Sequence, residues 1–308
     1  MNTIAIPGKV ILTCALTGGG HGKEANPSLP EQPDEIVRQG LEAWQAGAAI
    51  LHIHARNPDG SVSHDKEIYR EIHSRLCMET DAIIQLTTGG GFGLSPAQRF
   101  VTTLLNPEMC SLNMGTLMMT AGDNDWLFAN SRRDIERLAR EMKLRGIKPE
   151  LEVYNIAMLE EVERLIEVGL LEPPYYVNLV LNVAAQGALS GSPMNLIDMV
   201  RRLPAQTFCN LTATGKTQLP LTTMAMSMGL NIRVGMEDNI WYRRGELVQS
   251  NAQLVARSVR IAHELNLAVA RPDEVRRALD LRGRRKGETP AALIESEEHL
   301  VEDEQTRD

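Results

Sequence analysis

The run Leu51-His52-Ile53-His54-Ala55-Arg56 sets two imidazoles at alternate positions of an apolar, strand-like stretch. Alternate residues of a strand face the same way, so His52 and His54 project to one side. Two imidazoles so placed suit a pair of ligands for Zn²⁺, at about 2.0–2.1 Å each. The other use of such a pair is as hydrogen-bonded core histidines, and spacing alone leaves both open. A catalytic zinc generally has three protein ligands and an open position. A second polar run, Asn231-Ile232-Arg233-Val234-Gly235-Met236-Glu237-Asp238-Asn239, lies far along the chain and offers two adjacent carboxylates with Arg233 just before them. Glu237 is the candidate third ligand. Asp238 or Asn239 could instead cap the start of a following helix.

For residues so distant in sequence to meet, the elements between them must close on themselves. The chain repeats one pattern: a short apolar β-prone run, a loop, then an amphipathic helix. Expected strands are Val10–Leu16, Ala49–Ala55, Ala82–Thr87, Met109–Asn113, Glu150–Tyr154, Tyr176–Leu181, Thr207–Thr212 and Asn231–Met236. Expected helices include Pro33–Ala46, Asp134–Leu144, Ala157–Val168 and Asn251–Leu265. Strands this apolar are buried on both faces, as parallel strands covered by helices are. Eight such units without an internal break in composition predict a single α/β domain, a closed (β/α)₈ TIM barrel over residues 1–281. An open doubly wound sheet often carries a GxGxxG turn. Gly89-Gly90-Gly91-Phe92-Gly93 follows a strand but does not match that spacing. In the closed barrel the second and eighth strands both flank the first, which brings Glu237 toward His52 and His54. Catalytic groups in this fold lie at the C-terminal ends of the strands.

Other strand ends are also polar. Thr87, Thr88, Gly89 and Gly90 end the third strand, and Ser111 and Asn113 the fourth. Hydroxyls, amides and close-approach glycines there suit a carboxylate or phosphate, and they are taken as substrate-binding candidates. Glu150 and Glu152 share parity in the fifth strand. A carboxylate inside a strand is rarely left unpaired, so they serve either an ion pair within the barrel or the substrate.

The chain has 308 residues, a formal net charge of −8 and a pI near 5.5, which argues against nucleic acid as main partner. No run approaches the ~20 apolar residues of a membrane span, and the start lacks a secretory pattern. Cys14, Cys77, Cys110 and Cys209 form no CxxC pair, so a reduced, cytoplasmic protein without a cysteine metal site is expected. Residues 282–308 form a charged tail, expected to be solvated or to pack on a neighbouring subunit.

These pieces resemble the β-keto acid cleavage enzymes, the family that includes 3-keto-5-aminohexanoate cleavage enzyme. The matching motifs run from His52-Ile53-His54 and Gln85-Leu86-Thr87-Thr88-Gly89-Gly90 through Pro107-Glu108-Met109, Ser111-Leu112-Asn113 and Pro149-Glu150-Leu151-Glu152-Val153-Tyr154. They continue with Arg233-Val234-Gly235-Met236-Glu237-Asp238-Asn239 and Ser250-Asn251-Ala252-Gln253-Leu254-Val255. The resemblance implies a (β/α)₈ barrel with zinc on His52, His54 and Glu237. It implies acetyl-CoA as co-substrate: a β-keto acid enters, and acetoacetate and a new acyl-CoA leave. Asp238, paired with Arg233, is implied as the acid/base group, and Thr87 and Ser111 as substrate contacts. It also implies a homo-oligomer, a dimer or tetramer. Two departures bear on the substrate. Gly20 stands where the aminohexanoate enzyme carries an amine-holding Glu, with Glu24 a substitute only if the loop refolds. Asn182-Val183-Ala184-Ala185-Gln186-Gly187 replaces a glycine-rich turn. Two rival readings remain: an amidohydrolase-type zinc hydrolase, whose barrel also begins with HxH but needs later histidines and an Asp, and a non-catalytic metabolite-binding barrel.

Overall fold

The computed structural model describes residues 3–91, 94–121 and 124–283. Eight parallel strands close a barrel in chain order. They are β1 (Leu12–Ala15), β2 (Ile50–Ile53), β3 (Ile83–Leu86), β4 (Met109–Asn113), β5 (Lys148–Val153), β6 (Tyr175–Leu181), β7 (Thr207–Ala213) and β8 (Asn231–Val234). All eight expected strands are there, so the barrel is the observed fold. The first expected strand is divided: Lys9–Val10 leaves the barrel to pair with Ala268–Val269. The eighth ends at Val234, two residues before the expected Met236.

The pleat sorts each strand's residues. Leu12, Cys14, Leu51, Ile53, Ile84, Leu86, Leu151, Val177 and Leu211 join the large outer core beneath the helices. Their alternates point into the barrel. At the bottom these are Ile11, Ile50, Ile83, Met109, Tyr176 and Phe208, sealed by Ala270, Val275 and Leu279. One rung higher they are polar and buried: Thr13, His52, Gln85, Ser111, Glu150, Asn178 and Asn210. The barrel is therefore oily at its base and polar toward its mouth.

The helices begin where the sequence supplies a cap. Ser131, Asn155, Ser192 and Ser250 accept N–H bonds from Asp134, Met158, Asn195 and Gln253 and start Arg132–Arg145, Ile156–Glu167, Pro193–Val200 and Asn251–Glu264. The expected helix start at Asp238 or Asn239 is not found. Asn239 Oδ1 instead accepts the Trp241 N–H at 3.0 Å, and the chain enters a hairpin of Trp241–Arg243 and Glu246–Leu247. A side chain that bonds its own backbone two residues on favours a turn over a helix. Between β4 and its helix lies a second hairpin, Leu117–Ala121 with Asn124–Phe128, joined by Ala185–Gln186.

Of the four cysteines, Cys14, Cys110 and Cys209 are buried in barrel strands, and all four are free thiols. Among the described residues no helix is long and apolar enough to cross a membrane. The charged tail lies outside the described residues beyond Gly283, as do Phe92 and Gly93 of the glycine run. Arg282, where the tail begins, donates to the Arg145 carbonyl at 2.9 Å.

Candidate active site

Strand pairing brings the distant motifs together. Ala15 of β1 is in register with His52 of β2, and Arg233 of β8 with Thr13 on the other side of β1. Parity does not carry Glu237 to the mouth, because β8 has already ended. A turn at Gly235 does. With φ at +139°, Gly235 lies so close to β1 that an added Cβ would sit 2.0 Å from the Ala15 carbonyl oxygen. Glu237 N–H then donates to that same oxygen at 3.3 Å, folding the chain over the top of β1. Gly18, at φ +68°, leaves the space the Glu237 side chain fills, where a Cβ would stand 2.5 Å from Glu237 Cγ.

His52, His54 and Glu237 form a group at the mouth that could hold a metal ion, one ligand atom of each within 4.8 Å of the others. The two Nε2 atoms stand 3.7 and 3.6 Å from Glu237 Oε1. Ligands of a tetrahedral zinc at ~2.1 Å are about 3.4 Å apart, so little movement separates this arrangement from a coordinating one. His52 Nδ1 donates to Gln85 Oε1 at 2.6 Å, which leaves Nε2 free of its proton and aimed at the centre. Burial pushes His52 well below the usual imidazole range, Arg233 adding to the effect; burial pushes His54 down to about 3 against the pull of Glu237. Both are neutral, the form that binds metal. Glu237 Oε2 is buried without a hydrogen-bond partner. The donor set fits a divalent cation.

Arg233 organises the carboxylates. Its Nε and Nη2 donate to Asp238 Oδ2 and Oδ1, each at 2.9 Å, a bidentate clamp. The same guanidinium reaches Glu237, and Nη1 lies 3.4 Å from Glu152 Oε1. One cation faces three acids in a buried site. Burial drives Asp238 up to about 6 and Glu152 up to about 8, with Arg233 opposing both shifts. A carboxylate of near-neutral pKa, held by a guanidinium, is a poised general base.

These groups line one cavity of about 480 Å³, within the usual range for a small-molecule site. Thr87, Gly89, Gly90 and Asn113 line it together with His52, His54, Arg233, Glu237 and Asp238. Thr88, Ser111 and Glu150 do not. Thr88 spends its hydroxyl on the Ser111 carbonyl at 2.6 Å, and Ser111 Oγ accepts the Thr88 N–H at 3.1 Å, so the pair ties β3 to β4. Glu150 lies one rung below Glu152 and accepts from Asn210 Nδ2 at 3.2 Å. Of the two readings of the fifth-strand acids, Glu152 meets Arg233 at the cavity and Glu150 belongs to the barrel interior. Several lining residues carried no expectation of a site: His21, Met119, Trp126, Phe128 and Trp241. The only signal for the hairpin was the long stretch between β4 and the helix at Arg132, since loops of that length are commonly functional.

A profile of the family described as beta-keto acid cleavage enzyme matches residues 9–281. The chain belongs to that family. It is 35% identical over 280 residues to the 3-keto-5-aminohexanoate cleavage enzyme of Fusobacterium nucleatum, covering 89% of this chain and 98% of that one. It is 33% identical to the 3,5-dioxohexanoate:acetyl-CoA acetone transferase of Paraburkholderia graminis (89% and 96% covered). It is 30% identical to the 3-dehydrocarnitine:acetyl-CoA trimethylamine transferase of Rhizobium meliloti (89% and 97%). Among solved structures, apo ObcA shares the fold with a TM-score of 0.72 at 19% identity, over 83% of this chain and 66% of that protein. This β-keto acid cleavage enzyme is thus an enzyme of a transferase family, and the rival readings lose their ground. The later strand-end histidines that an amidohydrolase needs are also missing from the described residues: His73 and His263 lie on helices, and His64 follows β2.

Proposed function

We propose that this enzyme condenses a β-keto acid with acetyl-CoA, giving acetoacetate and a new acyl-CoA, with zinc on His52, His54 and Glu237. The observation that carries the reading is the Arg233 clamp, which holds a base of near-neutral pKa beside an open three-ligand cluster. Relatives named for transfers with acetyl-CoA support the co-substrate.

In the reaction the carboxymethyl unit leaves one acyl carbon for another. The bond between C2 and C3 of the β-keto acid breaks, C2 bonds to the acetyl carbonyl carbon, and the CoA sulfur passes from the acetyl group to the released acyl group. A divalent cation in the cluster would supply Lewis acidity to the keto oxygen and carboxylate as negative charge develops. Asp238 takes the proton from C2 and later returns one to carbon, while Arg233 fixes the carboxylate's direction and shares its charge. Thr87 and Asn113, with the backbone of Gly89 and Gly90, position the substrate carboxylate. Thr88, Ser111 and Glu150 support these groups from below. The reading includes a cytoplasmic homo-oligomer, dimer or tetramer, which sedimentation and fractionation would check.

The deciding experiment is acetoacetate formation from β-keto acids and acetyl-CoA by metal-quantified protein, with chelation and zinc restoration. Asp238→Asn should keep zinc and lower turnover by about 10²–10⁴-fold, the range of a general acid/base. His52→Ala should lose the metal. Normal turnover by Asp238→Asn, or full zinc retention by His52→Ala, removes that residue from its assigned role.

A further inference from the structure

We infer that the β-keto acid cleaved here carries an uncharged, apolar tail, an assignment that rests on the proposed reaction and names its substrate class. The cavity is divided. His52, His54, Glu152, Tyr154, Arg233, Glu237 and Asp238 stand together around the clamp, and His21, its Nε2 2.9 Å from the Met236 carbonyl, also lines the cavity. The apolar part of the wall includes Met119, Trp126 and Phe128 from the β4 hairpin, Val183 after β6, and Ile240 and Trp241 after β8. A substrate whose carboxylate and keto group sit at the clamp must direct its tail along this second wall.

Among the described residues no acid lines this part of the wall to meet a cationic tail. Glu152, Glu237 and Asp238 are already taken by Arg233. Glu24 and Glu31 line an adjoining crevice beside Arg56, which meets the cavity at Gly19, Gly20 and His21. Glu24 accepts the Gly22 N–H at 2.7 Å, and Glu31 the Lys23 N–H at 2.9 Å, so the loop has not refolded to present either to the tail. Aromatic faces can hold a cation without an acid; of Trp126, Phe128 and Trp241 on this wall, Phe128 already faces one. Arg99, 2% exposed and outside the cavity, sets its guanidinium 5.1 Å from the Phe128 ring centre. That guanidinium donates to Asn130 Oδ1 at 3.0 Å and the Ala129 carbonyl at 2.7 Å, and the charge of Asp134 acts on it as well. The Phe128 ring therefore already faces one cation. An anionic tail finds no guanidinium to pair with along that wall, since Arg99 lies outside the cavity with Nη1 and Nη2 bonded to Asn130 and Ala129, and Arg233 is committed to the carboxylates. An apolar tail gains from the same surfaces. Desolvating a charge without a partner is unfavourable, whereas hydrocarbon is stabilised by burial.

Gly20 supplies the converse. A Cβ there meets nothing within 4 Å, and its backbone is in a region open to other residues, so a side chain can begin there without strain. Gly20→Glu would place a carboxylate at the cavity edge.

The test compares 3-oxo acids of matched length with propyl, aminoalkyl, trimethylammonium and carboxylate tails. Both kcat/KM with acetyl-CoA and Kd without it are measured. The propyl acid is expected to lead each charged acid by about tenfold or more in both, the least that pocket-level discrimination delivers. Gly20→Glu should shift the ratio of aminoalkyl to propyl acid by about tenfold toward the amine. A charged tail that matches or exceeds the propyl acid in the parent overturns the assignment while leaving the reaction standing. Discrimination in Kd with no turnover of any acid overturns the reaction and leaves the tail assignment standing. No binding of any of them overturns both.

Discussion

Gln85→Met isolates what one buried hydrogen bond contributes to the metal site. Gln85 and His52 are in register on adjacent strands, 0% and 1% exposed, and joined through Oε1 and Nδ1 at 2.6 Å. In the metal-free protein the loss is cheap. Neutral His52 can move its proton from Nδ1 to Nε2, where it faces Glu237 Oε1 at 3.7 Å. With metal on Nε2 that escape is closed, and the proton must stay on Nδ1 with no acceptor. A buried donor left unsatisfied costs about 1–3 kcal/mol. The penalty falls on the metal-bound state, so zinc affinity should drop by about 10–100-fold, as it does elsewhere when a ligating histidine loses the partner of its other ring nitrogen. The fold should hardly notice. Gln85 Nε2 is itself buried without a partner, and Met is close to it in volume, so unfolding of the metal-free variant should change by less than about 1.5 kcal/mol. Competition for Zn²⁺ against a chromogenic chelator measures the affinity, with urea melts of the metal-free proteins alongside. Unchanged affinity in a folded variant would refute the claim that His52 binds through Nε2 with its proton held by Gln85.

Glu150 provides a pH test of the polar rung. Burial drives its carboxyl up to about 7, with Arg233 and Asn210 opposing, and its Oε2 has no partner. A folded pKa above the ordinary one means the folded chain holds its proton longer, so the stabilisation is full below pH ~4.5 and is lost as pH rises toward 7. Metal-free Glu150→Gln should therefore exceed the parent by about 1–3 kcal/mol at pH 8 and lose that lead toward pH 4.5, in urea melts at each pH; a pH-independent difference would sink the idea. Gly235→Ala should lose about 3 kcal/mol or more, combining a positive φ with a Cβ driven into the Ala15 carbonyl. A thermal melt equal to the parent's would mean the β8 turn relaxes freely.

What could be read in the sequence follows from what a strand's period encodes. Parity is encoded: His52 and His54 share a side because the pleat repeats every two residues, and they share it in the structure. Depth is not. Ser111 and Asn113 have the same parity, as do Glu150 and Glu152, yet only the second of each pair reaches the cavity. Nothing in a run of alternating residues says where the barrel's floor lies. The floor is set by the plug of Ala270, Val275 and Leu279 against Ile11 and its neighbours, a contact between the two ends of the chain. The aromatic wall was hidden for a related reason. Trp126 and Phe128 sit in a hairpin whose register depends on Ala185–Gln186, a segment from another loop.

Closure gave the rest. Glu237 belongs with His52 and His54 only because β1 has β2 on one side and β8 on the other. The final approach, though, is made by a turn rather than a strand. Had β8 continued past Val234 in extended form, Glu237 would have risen away from the mouth at about 3.3 Å per residue. Gly235 bends the chain across the end of β1, so that Ala15 receives the Glu237 N–H and Asp238 returns to Arg233. Arg233 is thus the last fixed point of the barrel wall, and Glu237 and Asp238 are the first residues beyond it. The rigid strand aims the guanidinium, the turn brings both acids back to it, and one cation sets the direction of the proposed metal ligand and of the proposed base. Ligand geometry and base orientation should therefore fail together when Arg233 is changed, but separately when Gln85 or Asp238 is.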